Sequence, residues 1–191
     1  MENTTSLTFI NHASVLVSCG EISLLSDPWY QGDAFHKGWN LIHELADDEI
    51  VELLEKVSHI WISHEHPDHF SIMFFKKFGK EIQDRNIQII FQETKDKRVE
   101  TFLLKSDYDL QIITFNSWLK LSDEFEILCF KDGFYDSGLA VKTSDKTILN
   151  FNDCEIKDKS RCEEVFKITG ECDILVSQFS YAAWKGGKEN T

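Results

Sequence analysis

The sequence is poor in residues that interrupt regular structure. Of 191 residues only two are proline, Pro28 and Pro67, and nine are glycine, which excludes collagen-like and low-complexity architectures. No apolar run reaches the roughly 18 residues of a membrane-spanning helix. The opening Met1-Glu2-Asn3-Thr4-Thr5 has neither the basic nor the apolar part of a signal peptide. The five cysteines are odd in number and widely spaced. They form no C-x-x-C and no C-x-H paired with C-x-x-H, the ligand pattern of a Rieske cluster. Reduced thiols in a cytoplasmic protein are expected, each serving as a small buried apolar group. Arginine is scarce, at Arg85, Arg98 and Arg161 only. Twenty basic against 33 acidic residues give a net charge of −13, which argues against nucleic acid and membrane as partners.

What is present is a globular composition, 42% hydrophobic and 13% aromatic. One α/β domain is expected over residues 1–184, with Tyr181 and Trp184 near its end either packing or covering the site, and 185–191 as a frayed tail. Alternating Leu7, Phe9, Ala13, Val15, Val17, Ile22 and Leu24 read as a short strand and a hairpin, ended at Asp27-Pro28. Residues 31–46 read as a loop. Asp47-Asp48 is expected to cap a helix carrying Ile50, Leu53, Leu54 and Val57. Ile60-Trp61-Ile62 reads as a buried strand. Ser71 opens a second helix with Phe74, Phe75 and Phe78 on its core face. A strand at Ile87–Phe91, a helix at Lys95–Lys105 and a strand at Leu110–Thr114 follow. Then come strands at Phe125–Phe130, Leu139–Thr143 and Thr147–Phe151, a helix near Arg161–Thr169 and a strand at Ile174–Ser177.

Four candidate metal ligands fall within six residues: His64, His66, Asp68 and His69. Histidines at i and i+2 after a strand project to one side of an extended turn, and Asp68-His69 begins the next helix. Imidazole nitrogen and carboxylate oxygen suit zinc, iron or manganese. His12 is a candidate to orient a ligand, and Asp27 to hydrogen-bond one. His36 and His59 read as structural.

His64-Glu65-His66-Pro67-Asp68-His69 resembles the H-x-H-x-D-H motif of the metallo-β-lactamase superfamily. Asn11–Val17, the Asp27-Pro28 turn and Asn152-Asp153-Cys154 follow in the superfamily's order. A closer resemblance, through Asp27–Gly32, Ala34-Phe35, Gly38-Trp39, Leu41–Glu44, Ile148–Asn150 and Asp153-Cys154 to about Phe179, is to the metallo-β-lactamase-like part of the CMP-N-acetylneuraminate hydroxylase family. It makes His43 and Trp39 candidate pocket residues. The resemblance implies an αββα sandwich, with this chain lacking the superfamily's C-terminal elements.

It further implies two divalent metal ions, zinc or iron/manganese. His64 and His66 would serve one, Asp68 and His69 the other, and Asp153 would bridge them. The superfamily's third histidine has no counterpart, since no histidine follows His69. Tyr135 and Asp136 lie in its place, and Asp136 is preferred because a carboxylate binds without losing a phenolic proton. Three activities are implied. The superfamily's commonest is hydrolysis of a small molecule by a metal-bridging hydroxide, with Asp68 the catalytic carboxylate. The second is a metal-bearing part of an O2-dependent hydroxylase, with a sugar or nucleotide-sugar substrate and an electron donor on another domain or chain. The third is a non-catalytic metal-binding module.

Overall fold

The computed structural model describes residues 4–178. Tyr181, Trp184 and the 185–191 tail lie outside the described residues. The strands are β1 (Ser6–Asn11), β2 (Ser14–Cys19), β3 (Ile22–Ser26), β4 (Asp33–Ala34), β5 (Trp39–Asn40), β6 (His59–Ile62), β7 (Gln88–Gln92), β8 (Leu110–Ile113), β9 (Trp118–Ser122), β10 (Phe125–Lys131), β11 (Ser137–Thr143), β12 (Thr147–Asn150) and β13 (Ile174–Val176). The helices are α1 (Asp47–Leu54), α2 (Ile72–Lys77), α3 (Gly79–Asp84), α4 (Arg98–Lys105) and α5 (Lys159–Thr169).

Two sheets form, one ordered β1-β2-β3-β6-β7-β8 and the other β13-β12-β11-β10-β9. Strand alternation explains how they stack. Trp61 and Ile90 face the second sheet and pack with Phe125, Ile127, Leu139, Val141 and Ile148. Their neighbours Ile60, Ile62, Ile89 and Phe91 face the other way, onto Ile50, Leu54, Phe75, Ile82 and Leu103 of α1–α4. On the far side, Leu128, Phe130, Ala140 and Leu149 pack under Val165 of α5. The layers are therefore helices, sheet, sheet, helix, with both strand faces buried as period-2 side chains require. Among the described residues, no helix is long and apolar enough to cross a membrane.

Some local expectations change. Helix α1 is preceded by Ala46 as its N-cap, with Asp47-Asp48 inside the first turn. Glu49 reaches back to accept from the Ala46 N–H at 2.8 Å, so the acidic run complements the helix dipole instead of capping. The 31–46 segment contains the β4–β5 hairpin, and β9 is an additional strand. The second helix divides at Phe78 into α2 and α3. Phe9 is exposed. Cys19, Cys129 and Cys154 are buried, but Cys162 and Cys172 are exposed on and just after α5, whose outer face meets water.

Ser71 does cap α2, its hydroxyl accepting from the Phe74 N–H at 3.2 Å. Ser71→Ala is expected to lower stability by about 1 kcal/mol in urea unfolding. A change under about 0.3 kcal/mol would mean that the cap contributes nothing net.

Candidate metal centre

The site lies at the ends of β3, β6, β10 and β12. Buried β6 delivers Ser63, whose backbone is fastened from three directions. Its N–H and hydroxyl both donate to Asp27, each at 2.7 Å. Its carbonyl accepts from the Ser137 hydroxyl at 2.6 Å and from the Gln92 amide. After it the chain coils, with His69 and Phe70 N–H both donating to the His66 carbonyl, at 3.0 and 2.7 Å. This aims His64, His66, Asp68 and His69 inward. His12 arrives from the β1–β2 turn, Asp136 from the β10–β11 turn, and Asp153 from the segment after β12.

The donor atoms form one chain of close approaches. His64 Nε2 lies 2.9 Å from His66 Nδ1, 3.6 Å from Asp136 Oδ1 and 4.0 Å from Asp153 Oδ2. His69 Nε2 lies 3.3 Å from Asp153 Oδ2 and 3.5 Å from Asp68 Oδ2. His12 Nε2 lies 3.2 Å from Asp68 Oδ2. Three groups of mutually adjacent donors result: His64, His66 and Asp136; His64, His69 and Asp153; His12, Asp68 and His69. Bonds of about 2.0–2.2 Å around one ion place neighbouring donors roughly 3–3.5 Å apart, so this spacing suits divalent cations. Asp68 Oδ1 and His69 Nε2 are buried without a hydrogen-bond partner among the described residues. Such orphaned groups are costly unless a cation or water completes them. The residues fit the metal pair that the resemblance implies.

The electrostatics agree. Burial, together with the neighbouring His69, pushes His64 down to about 4, leaving it a neutral imidazole near pH 7. Burial also opposes charge on His69, but Asp153 and Asp27 outweigh it and raise its pKa. The carboxylates around His69 thus favour positive charge at this point of the site. The second ring nitrogen of each is held, His64 Nδ1 by Ser63 Oγ at 2.8 Å and His69 Nδ1 by Asp27 at 2.9 Å. Such contacts set the tautomer and aim the free nitrogen.

Of the sequence candidates, His64, His66, Asp68, His69, Asp153 and Asp136 are brought together. Asp27 is buried and bonds His69 directly. His12 lies beside Asp68 and His69, its ring nitrogen forming one group with their donor atoms. His43 does not join: it is exposed, and its carbonyl accepts from Asn11 at 2.8 Å. The Tyr135 ring packs 5.7 Å from that of His66, and Asp136 offers a carboxylate oxygen in one group with His64 and His66. Sequence reading missed Ser63, Gln92, Ser137 and Asn152. Asn152 donates to Asp27, and its backbone is left-handed at φ +51°. The Asn-Asp pair after an apolar strand is the one local signal for it.

Beside the donors runs a cleft of about 380 Å³, lined by Phe9, His12, Trp39, Asn152, Asp153 and Val176 among others. The β4–β5 hairpin leans over it. Trp39 stands edge-on to His12 at 6.1 Å, and Phe35 edge-on to His66 at 5.7 Å.

No family model matches the chain. Three solved structures share its architecture. CmlA, a diiron β-hydroxylase from Streptomyces venezuelae, aligns with TM-score 0.69 and 16% identity over 92% of this chain and 34% of its own. A possible metal-dependent hydrolase from Veillonella parvula gives 0.63 and 15%, over 92% and 70%. The metallo-β-lactamase fold protein YhfI from Bacillus subtilis gives 0.58 and 16%, over 95% and 70%. The chain has the metallo-β-lactamase fold.

Within that fold, curated relatives bear out the closer resemblance. The cytidine monophosphate-N-acetylneuraminic acid hydroxylase of Danio rerio is 29% identical over 184 residues, 93% of this chain and 29% of that protein. The enzyme of Cricetulus griseus is 30% identical over 194 residues, 95% and 33%. The chain thus spans about a third of the length of the curated relatives it matches.

Proposed function

We propose that this chain is the metal-bearing part of an O2-dependent hydroxylase acting on a small molecule, in preference to the hydrolase that leads on superfamily frequency. The observation that carries the reading is the composition of the donor groups. Each of the three is two imidazoles and one carboxylate. That set, with open positions, is shared by catalytic zinc sites and non-haem iron oxygenases, and the three carboxylates among seven donors favour iron or manganese. The similarity to proteins named as hydroxylases supports it, and by the name of the curated relatives the proposed substrate is a sugar nucleotide.

His64, His66 and Asp136 would hold one ion, and His12, Asp68 and His69 the other. Asp153 lies between His64 and His69, where it would bridge. When bound, the ions supply the reduction of O2. The chain's own residues do the rest. Asp27 and Ser63 keep the imidazoles aimed, the aromatic hairpin shields the donors, and the cleft places a substrate C–H against them. The overall change, R–H + O2 + 2e⁻ + 2H⁺ to R–OH + H2O, needs two electrons beyond those of the substrate. The proposal therefore includes an electron donor on another domain or chain.

Metal analysis after anaerobic purification is the test. Two irons per chain, with O2 uptake dependent on a reductant, are expected. Two zincs with esterase or phosphodiesterase turnover would establish the hydrolase instead. Less than half an equivalent of any metal would leave a non-catalytic module. His66→Ala and Asp68→Ala should each lower bound metal at least tenfold in affinity, as removal of a ligand does, whereas exposed His36→Ala should not. Equal metal in all three variants would remove the assignment.

A further inference from the structure

Asp136 and Asp153 differ from the other candidate ligands in how they are placed. His64, Asp68 and His69 are buried, and packing fixes them. The Asp136 and Asp153 side chains are 27% and 37% exposed, on two separate loops of the second sheet. Each therefore depends on where its backbone is held.

One residue ties both loops, one by its side chain and the other by its backbone. Asp132, just past β10, is only 12% exposed. Its Oδ2 accepts from the Glu155 N–H at 2.8 Å, two residues beyond Asp153. Its own N–H donates to the Asp136 carbonyl at 2.8 Å, closing the turn that carries Tyr135 and Asp136. Its Oδ1 accepts from Arg161 Nε at 3.0 Å and from a terminal guanidinium nitrogen, also at 3.0 Å. Arg161 also donates to the Lys131 carbonyl and, outward, to Glu164 at 3.1 Å. It lies in the first turn of α5, pinned by its N–H to the Asp158 cap at 2.9 Å. A planar guanidinium can meet Asp132, Lys131 and Glu164 together, whereas an ammonium on a flexible stem lacks that fork.

We infer that Arg161 and Asp132 are positioning residues that set the separation of Asp136 and Asp153, and so govern loading of the ion beside His64 and His66. This rests on the two-ion reading above. Neither residue reaches the donors; both act through the backbone of the ligand loops. The inference gives a purpose to the best-shielded of the three arginines, the other two being 34% and 77% exposed.

The test is Mn2+ titration of the full chain, followed by calorimetry and electron paramagnetic resonance, with the melting temperature of each ion-free protein measured alongside. The wild type is expected to bind two equivalents with a spin-coupled signal. Arg161→Met should keep one equivalent with an isolated-ion signal, and bind the second at least tenfold more weakly. Arg161→Lys, which restores charge without the fork, should retain the defect. Glu164→Gln, which removes only the outward arm, should bind as the wild type does. Wild-type affinity for both ions in Arg161→Met overturns the inference. So does loss of both ions in parallel with a fall in ion-free melting temperature, which would mark a general structural role. A wild type binding fewer than two equivalents overturns the two-ion reading, and the inference with it, and that result is visible in the unmutated protein alone.

Discussion

Asp27→Ala is expected to destabilise the ion-free protein by about 3–5 kcal/mol, the usual cost of leaving one member of a buried ion pair alone. It should also weaken metal binding about 10–100-fold, as loss of a residue that orients a ligand does. Asp27 is 1% exposed and accepts from Ser63 N–H, Ser63 Oγ, His69 Nδ1 and Asn152 Nδ2. Removing the carboxylate strands all four donors in a place that water does not reach. The backbone adds to the cost, because Asp27 sits at φ +39°, where aspartate and asparagine are tolerated better than alanine. Asp27→Asn keeps that tolerance and one acceptor oxygen, so it should lose less stability than Asp27→Ala while still weakening metal binding. Urea unfolding and metal titration read the two effects separately. A loss under about 1 kcal/mol with unchanged affinity would show that Asp27 neither supports the turn nor orients His69.

Phe75→Ala is expected to cost a similar amount, about 3–5 kcal/mol, without changing how the folded protein binds metal. Phe75 is fully buried on α2, with ring centroids 5.3 Å from Phe70, 5.3 Å from Phe74 and 5.6 Å from Tyr108. The substitution leaves a cavity in the helix layer outside the first sheet, against Phe70, Phe74 and Tyr108 rather than against a donor. The backbone tie from the Tyr108 hydroxyl to the Phe75 carbonyl is retained. For a domain whose total stability is about 5–15 kcal/mol, either substitution removes a large fraction. The pair separates two kinds of buried residue, one whose loss should change the site and one whose loss should not. Altered metal affinity in folded Phe75→Ala would mean that the helix layer controls the ligand turn more than this geometry allows.

The parts of this molecule legible in its sequence are those carried by contiguous chain. Ile60-Trp61-Ile62 reads as a buried strand because three apolar residues in a row must serve two faces, and Trp61 does take one face while its neighbours take the other. The 64–69 turn reads as a set of candidate ligands because its groups are dense, and the structure does bring them together. Asp27 is flagged by the proline behind it. By contrast, Gln92, Ser137 and Asn152 are ordinary polar residues on three distant segments. They acquire their roles only when two sheets bring them to Ser63 and Asp27. The start of α1 misleads for a local reason: aspartates look like caps, but Glu49 already bonds back to Ala46, which moves the boundary one residue earlier. The place of His12 is hidden for a related reason. A lone histidine in a hairpin turn gives no sign that Asp68, 56 positions away, will lie beside it.

The Ser63 carbonyl is met by Gln92 from one sheet and Ser137 from the other, so a single oxygen rivets the two halves of the sandwich together at the mouth of the centre. Layered proteins deform most readily by one layer sliding over the next. Here such a slip would have to break that rivet, and it would drag Asp136 and Asp153 away from the imidazoles at the same moment. Mechanical coherence of the sandwich and the gathering of these donors are therefore one property, and whatever loosens the first is felt at once in the second.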